Sequence, residues 1–246
     1  MGQGYRISAK ANEADVLIYE DVGDSWFGGV SAKQFADDLK ALGKVDTINL
    51  RLNSAGGDVF DGLAIYRQLV DHPARVITHI DGIAASIASV IAMAGTEIRI
   101  AEAGFLMIHD AWGMQMGNAD DMRRMADLLH TTTGSIADVY KARTPNTPAQ
   151  IKAWMAAETW FTAAEAIDNG FASVIAPNMR VAARVEGRHK FRCVPAALAS
   201  GPEAVLPLER LPDGSLARPG YDYNALRLAS MRAVTEQRKI TQLRTA

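Results

Sequence analysis

The chain has 246 residues, 48% apolar and 22% charged, which is enough to build one ordinary globular domain with an appendage, or two small ones. A formal net charge of -2 leaves no basic footprint for nucleic acid and no polybasic patch for a membrane surface. The single cysteine, Cys193, excludes an internal disulfide framework and fits a reducing, cytosolic compartment in which a lone thiol is a spectator.

Residues 1–20 show no basic segment followed by an apolar one, so no signal peptide is expected there. Ala14–Tyr19 reads as a strand. Ser31 and Gln34 form a capping box ahead of an apolar 3.6-residue period, which predicts a helix over Ser31–Leu42. Val45–Leu52 reads as a strand, and the turn Asn53-Ser54-Ala55-Gly56-Gly57-Asp58 leads into a helix ending near Leu69. Arg75–Ile80 reads as a strand ending by Asp81, followed by an Ala-rich helix to about Ala94. The longest mostly apolar stretch, Ile83 to Ala94, falls well short of the roughly 20 residues that cross a bilayer.

Glu97–Ala101 and Phe105–His109 read as two more strands, and Asn118 caps a long helix reaching about Lys141. Thr147-Pro148-Ala149-Gln150 opens another helix with a capping box and a proline at its first position. A third opens at Thr162 and stops at Gly170, and Phe171–Ile175 closes the domain as a strand. Such alternation predicts an α/β domain with mostly parallel strands. Periodicity alone leaves a spiral of ββα units and an open doubly wound sheet equally available. Beyond Pro177 the pattern weakens. Residues 178–222 hold four prolines and three glycines after Ser200 and read as a linker, and residues 223–246 as a basic terminal helix.

Three segments carry candidate chemistry. In Gly82-Ile83-Ala84-Ala85-Ser86-Ile87 a serine stands between a strand and the first turn of a helix. Backbone N–H groups there face a developing oxyanion, and small neighbours leave room for a substrate. A plain N-cap is the structural alternative. The paired glycines Gly56 and Gly57 permit backbone geometry closed to other residues; neither phosphate-loop pattern is present. Leu106-Met107-Ile108-His109 ends an apolar strand on a histidine. His72, His130 and His189 stand in polar surroundings, and His79 lies within a strand.

In order and spacing these segments resemble the active-site segments of the Clp protease family (ClpP). The resemblance continues through Gly62-Leu63-Ala64-Ile65-Tyr66 and Trp160-Phe161-Thr162-Ala163-Ala164-Glu165-Ala166, and spans residues 14 to about 176. It implies a ClpP/crotonase-like spiral of ββα units over residues 1–177 with a C-terminal extension. It also implies a serine endopeptidase that needs no cofactor and no metal. Ser86 matches the nucleophile and His109 the general base; Gly57 and Ile87 match the oxyanion-hole donors, with Gly56 supporting the turn. The family's aspartate aligns with Glu158, a departure by one methylene, and Asp168 is a possible substitute.

Gly23-Asp24-Ser25-Trp26-Phe27, Glu158-Thr159-Trp160 and the tail 178–246 resemble the ClpP-related head maturation proteases of tailed bacteriophages and prophages. That likeness implies a homo-oligomer, ring-shaped as in the family, acting on scaffold or capsid polypeptide in the host cytoplasm or procapsid. Neither nucleic acid nor membrane is an expected partner. Three alternatives remain: a housekeeping ATP-dependent proteolytic subunit, a crotonase-like coenzyme A thioester enzyme, and a non-catalytic subunit of the same fold. Ser86 with His109 argues against the crotonase reading, and both residues with Gly57 argue against the non-catalytic one. A Ser–Lys signal-peptide peptidase is disfavoured because no lysine lies between Lys44 and Lys141.

Overall fold

Strict alternation of buried and half-buried residues along Thr47–Ser54 (β3) places Ile48, Leu50 and Leu52 on one face of a strand. Glu13–Ile18 (β2) does the same with Ala14, Val16 and Ile18, and Arg75–Ala85 (β4) with Val76, Thr78 and Ile80. In this computed structural model, which describes residues 5–23, 29–176, 191–195, 198, 209–210 and 216–217, these three strands lie parallel, with a register shift in the β3–β4 pair between Leu52 and Ser54. Helices Ala32–Ala41 (α1) and Val59–Asp71 (α2) connect them and turn Phe35, Leu39, Ile65 and Leu69 into the same core. Ser31 caps α1 by accepting from the Gln34 N–H, as the capping pattern predicts.

The sheet runs β1-β2-β3-β4-β5-β8, where β1 is Tyr5–Lys10, β5 is Glu97–Ala101 and β8 is Val174–Ala176. Phe105–Ile108 (β6) pairs in parallel with the far end of β4 and antiparallel with Thr159–Thr162 (β7). The remaining helices are Ile87–Ala92 (α3), Ala119–Arg143 (α4), Pro148–Ala157 (α5) and Ala163–Asp168 (α6). This mixed α/β architecture is the predicted fold class. No described helix is long and apolar enough to cross a membrane.

The structure revises several boundaries. β4 continues to Ala85 rather than ending at Asp81, because Ile83, Ala84 and Ala85 find new partners in β6 after β5 stops. Tyr5–Lys10, ahead of the first expected strand, is itself a strand, antiparallel to β2. The closing strand starts at Val174, not Phe171, since the Phe171 and Ala172 N–H groups both return to the Ala166 carbonyl at the end of α6.

The chain divides into two compact units, Met1–Gly201 and Pro202–Ala246. In the second, Glu209–Arg210 (β9) and Leu216–Ala217 (β10) pair antiparallel within the stretch expected to be a linker. The expected terminal helix, 223–246, lies outside the described residues, as do residues 24–28 and most of 177–200.

α2 packs against the first residue of α3, Ile87. A Cβ placed on Gly62 would stand 2.1 Å from Ile87 Cγ1, so α2 reaches α3 only through a glycine. Gly62→Ala is expected to cost about 1–3 kcal/mol through overpacking, lowering Tm by about 2–10 °C in calorimetry. An unchanged Tm would mean that α3 moves aside freely.

Candidate active site

Ser86 sits between β4 and α3 with φ 54 and ψ -130, a region L-residues enter at a cost of about 1–3 kcal/mol. Its side chain makes no capping bond to α3; instead Oγ lies 2.8 Å from His109 Nε2. The plain N-cap alternative is therefore set aside. The Ser86 N–H donates to the Met107 carbonyl at 3.0 Å, carrying the β4–β6 ladder one residue past the strand. That bond ties the serine to the strand that carries the histidine.

The glycine turn lies against this serine. A Cβ on Gly56 would stand 2.7 Å from Ser86 Cβ and 2.9 Å from the Ala85 carbonyl oxygen, so only glycine permits the approach. Gly57, at φ 144, is clamped by Val22, whose N–H donates to Gly56 O and whose carbonyl accepts from Asp58 N–H, each at 2.8 Å. A Cβ there would meet Val22 O at 2.0 Å. Asp58 then caps α2 by accepting from the Phe60 and Asp61 N–H groups. Among the described residues, no acceptor takes the N–H of Gly57, and the Ile87 N–H opens α3, where no intrahelical partner exists. With only six residues, α3 offers local N–H groups rather than a strong macrodipole.

β6 and β7 pair with Ile108 opposite Thr159, so His109 and Glu158 each adjoin the last pair of the ladder. Glu158 is buried and left-handed, with φ 54 and ψ 74. Its carboxylate does not bond the imidazole. Oε1 accepts from the Cys193 N–H at 2.6 Å and from Trp160 Nε1 at 3.4 Å, and Oε2 accepts from the Arg192 N–H at 2.7 Å. Among the described residues, the hydrogen bond of the His109 ring is the one to Ser86. Asp168 is exposed at the end of α6 and is not among the charges acting on His109.

No periodicity marks the segment of Phe191, Arg192 and Cys193, and the sequence reads Cys193 as a spectator thiol, whereas its backbone N–H holds Glu158. Phe191 packs edge-on against both His109 and Trp160, with centroids 5.6 Å apart in each pair. Leu198 is buried with Ile83, Ala85 and Met107. The Cys193 thiol is exposed. Among the described residues, no cluster of three or more His, Cys, Asp or Glu side chains could hold a metal.

Burial pushes the His109 pKa below its ordinary value, and the charges of Glu158 and Asp110 oppose that while Arg192 reinforces it. The ring is thereby neutral near pH 7 with Nε2 facing a hydroxyl, and it can accept that proton. A serine with a neutral imidazole at 2.8 Å, packed against the Gly56 turn and followed by the first N–H of α3, forms an arrangement suited to acyl transfer.

Residues 4–179 match the Clp protease family model. The chain belongs to the Clp protease family. It is 32% identical over 146 residues to ATP-dependent Clp protease proteolytic subunit 1 of Leifsonia xyli, covering 57% of this chain and 74% of that one. It is 33% identical over 161 residues to proteolytic subunit 3 of Rhodococcus jostii, covering 63% and 77%. Against proteolytic subunit 2 of Tropheryma whipplei the figures are 29% over 164 residues, 65% and 88%. Its class is thus that of a ClpP-like serine peptidase.

His109 must be neutral to take a proton, so reactivity at Ser86 falls as pH drops through the His109 pKa. Burial holds that pKa below the ordinary histidine value, so the midpoint of the fluorophosphonate labelling profile is expected at a lower pH than a free imidazole gives. Glu158→Gln removes a charge that raises the pKa and is expected to move this acid limb to still lower pH. A limb moving upward would contradict the electrostatic assignment.

Proposed function

We propose that the protein hydrolyses peptide bonds with Ser86 as nucleophile, His109 as general base and Glu158 as the acid of the triad. The observation that carries this reading is the 2.8 Å contact between Ser86 Oγ and His109 Nε2 at a serine whose backbone is strained. In this reading Nε2 takes the hydroxyl proton as Oγ attacks the carbonyl carbon. The N–H groups of Gly57 and Ile87 receive the oxyanion, His109 returns the proton to the leaving amine, and water then hydrolyses the acyl-enzyme. Losing one oxyanion donor typically costs about 100- to 1000-fold in rate. The Val22 contact of Gly57 makes that backbone as sensitive as a side chain.

For the substrate we favour scaffold or capsid polypeptide, cleaved by a homo-oligomeric ring without ATP, as in phage head maturation. Support comes from Glu158-Thr159-Trp160, from Gly23–Phe27, mostly outside the described residues, and from the long tail 178–246. A second reading, degradation alongside an ATP-driven unfoldase, is favoured by the names of the three relatives, each a subunit of an ATP-dependent protease.

Intact-mass measurement after fluorophosphonate treatment of the assembled protein, with Ser86→Ala as control, tests the core of the proposal. One adduct on the wild type, absent from the variant, is expected. An unlabelled oligomer would transfer the chain to the non-catalytic alternative. Cleavage of a phage scaffold protein without ATP supports the first substrate reading, and cleavage of a folded substrate only with an unfoldase and ATP supports the second.

A further inference from the structure

Ser86 occupies a costly conformation, and both of its backbone groups are held. Its carbonyl accepts twice from Ser89, from the N–H at 3.0 Å and from the hydroxyl at 2.5 Å. Ser89 Oγ also lies 2.7 Å from the Tyr140 hydroxyl on α4. The direction of this chain follows from its chemistry. A carbonyl only accepts, so the one Ser89 proton goes to Ser86, and Tyr140 must donate to Ser89. Both residues are buried, and Tyr140 is packed edge-on against Phe171 at 5.7 Å. A hydroxyl inside the otherwise apolar Ile87–Ala92 helix costs free energy unless it is bonded, and this one is bonded on both sides.

Resting on the reading of Ser86 as nucleophile, we propose that Ser89 and Tyr140 are positioning residues: their hydroxyl relay fixes the Ser86 carbonyl and holds the turn that aims Oγ at His109. The test is kcat and KM on a fluorogenic peptide for Ser89→Ala, Tyr140→Phe and the double variant, alongside fluorophosphonate labelling. Ser89→Ala is expected to lower kcat about tenfold, with KM within about twofold of wild type. Tyr140→Phe, which deletes one oxygen and leaves the core filled, is expected to lower kcat about threefold. The double variant should be no worse than Ser89→Ala, because Tyr140 acts through Ser89. Full kcat in Ser89→Ala, or losses that multiply in the double variant, overturns the relay. A wild type that neither labels nor cleaves overturns the nucleophile reading, and the relay with it.

A separate observation concerns the acid. Both carboxylate oxygens of Glu158 are taken by consecutive backbone N–H groups, those of Arg192 and Cys193, while Phe191 covers His109. On the same catalytic reading, we infer that segment 191–195 sets the position of the acid, holding Glu158 off the imidazole until the segment leaves. In the full chain, the pair Arg192→Pro and Cys193→Pro removes both donors. It is expected to raise the Ser86 labelling rate about tenfold. The alanine pair keeps both N–H groups and should stay well below that. Phe191→Ser, which loosens the segment without altering those donors, should raise the rate in the same direction. No rise in either the proline pair or Phe191→Ser, or a fall in both, overturns this inference while a labelled wild type leaves the catalytic reading intact.

Discussion

The site depends on β4 changing partners partway along its length. Ile77–Ile80 pair with β5, and Ile83–Ala85 pair with β6, so two strands share one edge of β4 in succession. The ladder cannot continue past Ser86, because the chain must turn there into α3. The Ser86 N–H nevertheless reaches Met107 O, which locks the turn to β6. His109 follows two residues beyond Met107, so the strand that holds the Ser86 turn also carries the histidine. Gly56 completes the corner by letting the β3–α2 turn close against Ser86, where any side chain would collide.

This arrangement explains what could be read from the chain and what could not. β2, β3 and the first half of β4 carry one-sided alternation, so their positions show in the apolar pattern. β1 is largely exposed and β7 has four residues, so neither offers a period to detect. The second half of β4 is buried on both faces; its run of small apolar residues reads as the approach to a helix as readily as a strand. Ser86 and His109 were legible through motif order and resemblance. Their contact arises from pairing between distant segments and leaves no local signature.

Ser89 is a different case. A serine three residues after the candidate nucleophile, inside an apolar helix, is a visible anomaly, yet its partner lies 51 positions away on α4. Tyr140 itself reads as an ordinary core position on that helix. Only the folded structure shows that the two hydroxyls form one path ending on the Ser86 carbonyl. Buried polar groups of this kind specify geometry because the alternative is an unpaired hydroxyl in a dry core.

The β6–β7 ladder ends at Ile108 and Thr159, the neighbours of His109 and Glu158, yet the left-handed backbone at 158 and the extra methylene carry the carboxylate to Arg192 and Cys193. Two short bonds from backbone N–H groups hold a charge that burial would otherwise penalise. A shorter acid from the same backbone would sit farther from those donors. The length of the side chain at 158 is therefore matched to segment 191–195 as much as to the imidazole. Glu158 still acts on His109 through its charge, opposing the effect of burial on the ring. Glu158 thus touches segment 191–195 directly and acts on His109 only through its charge.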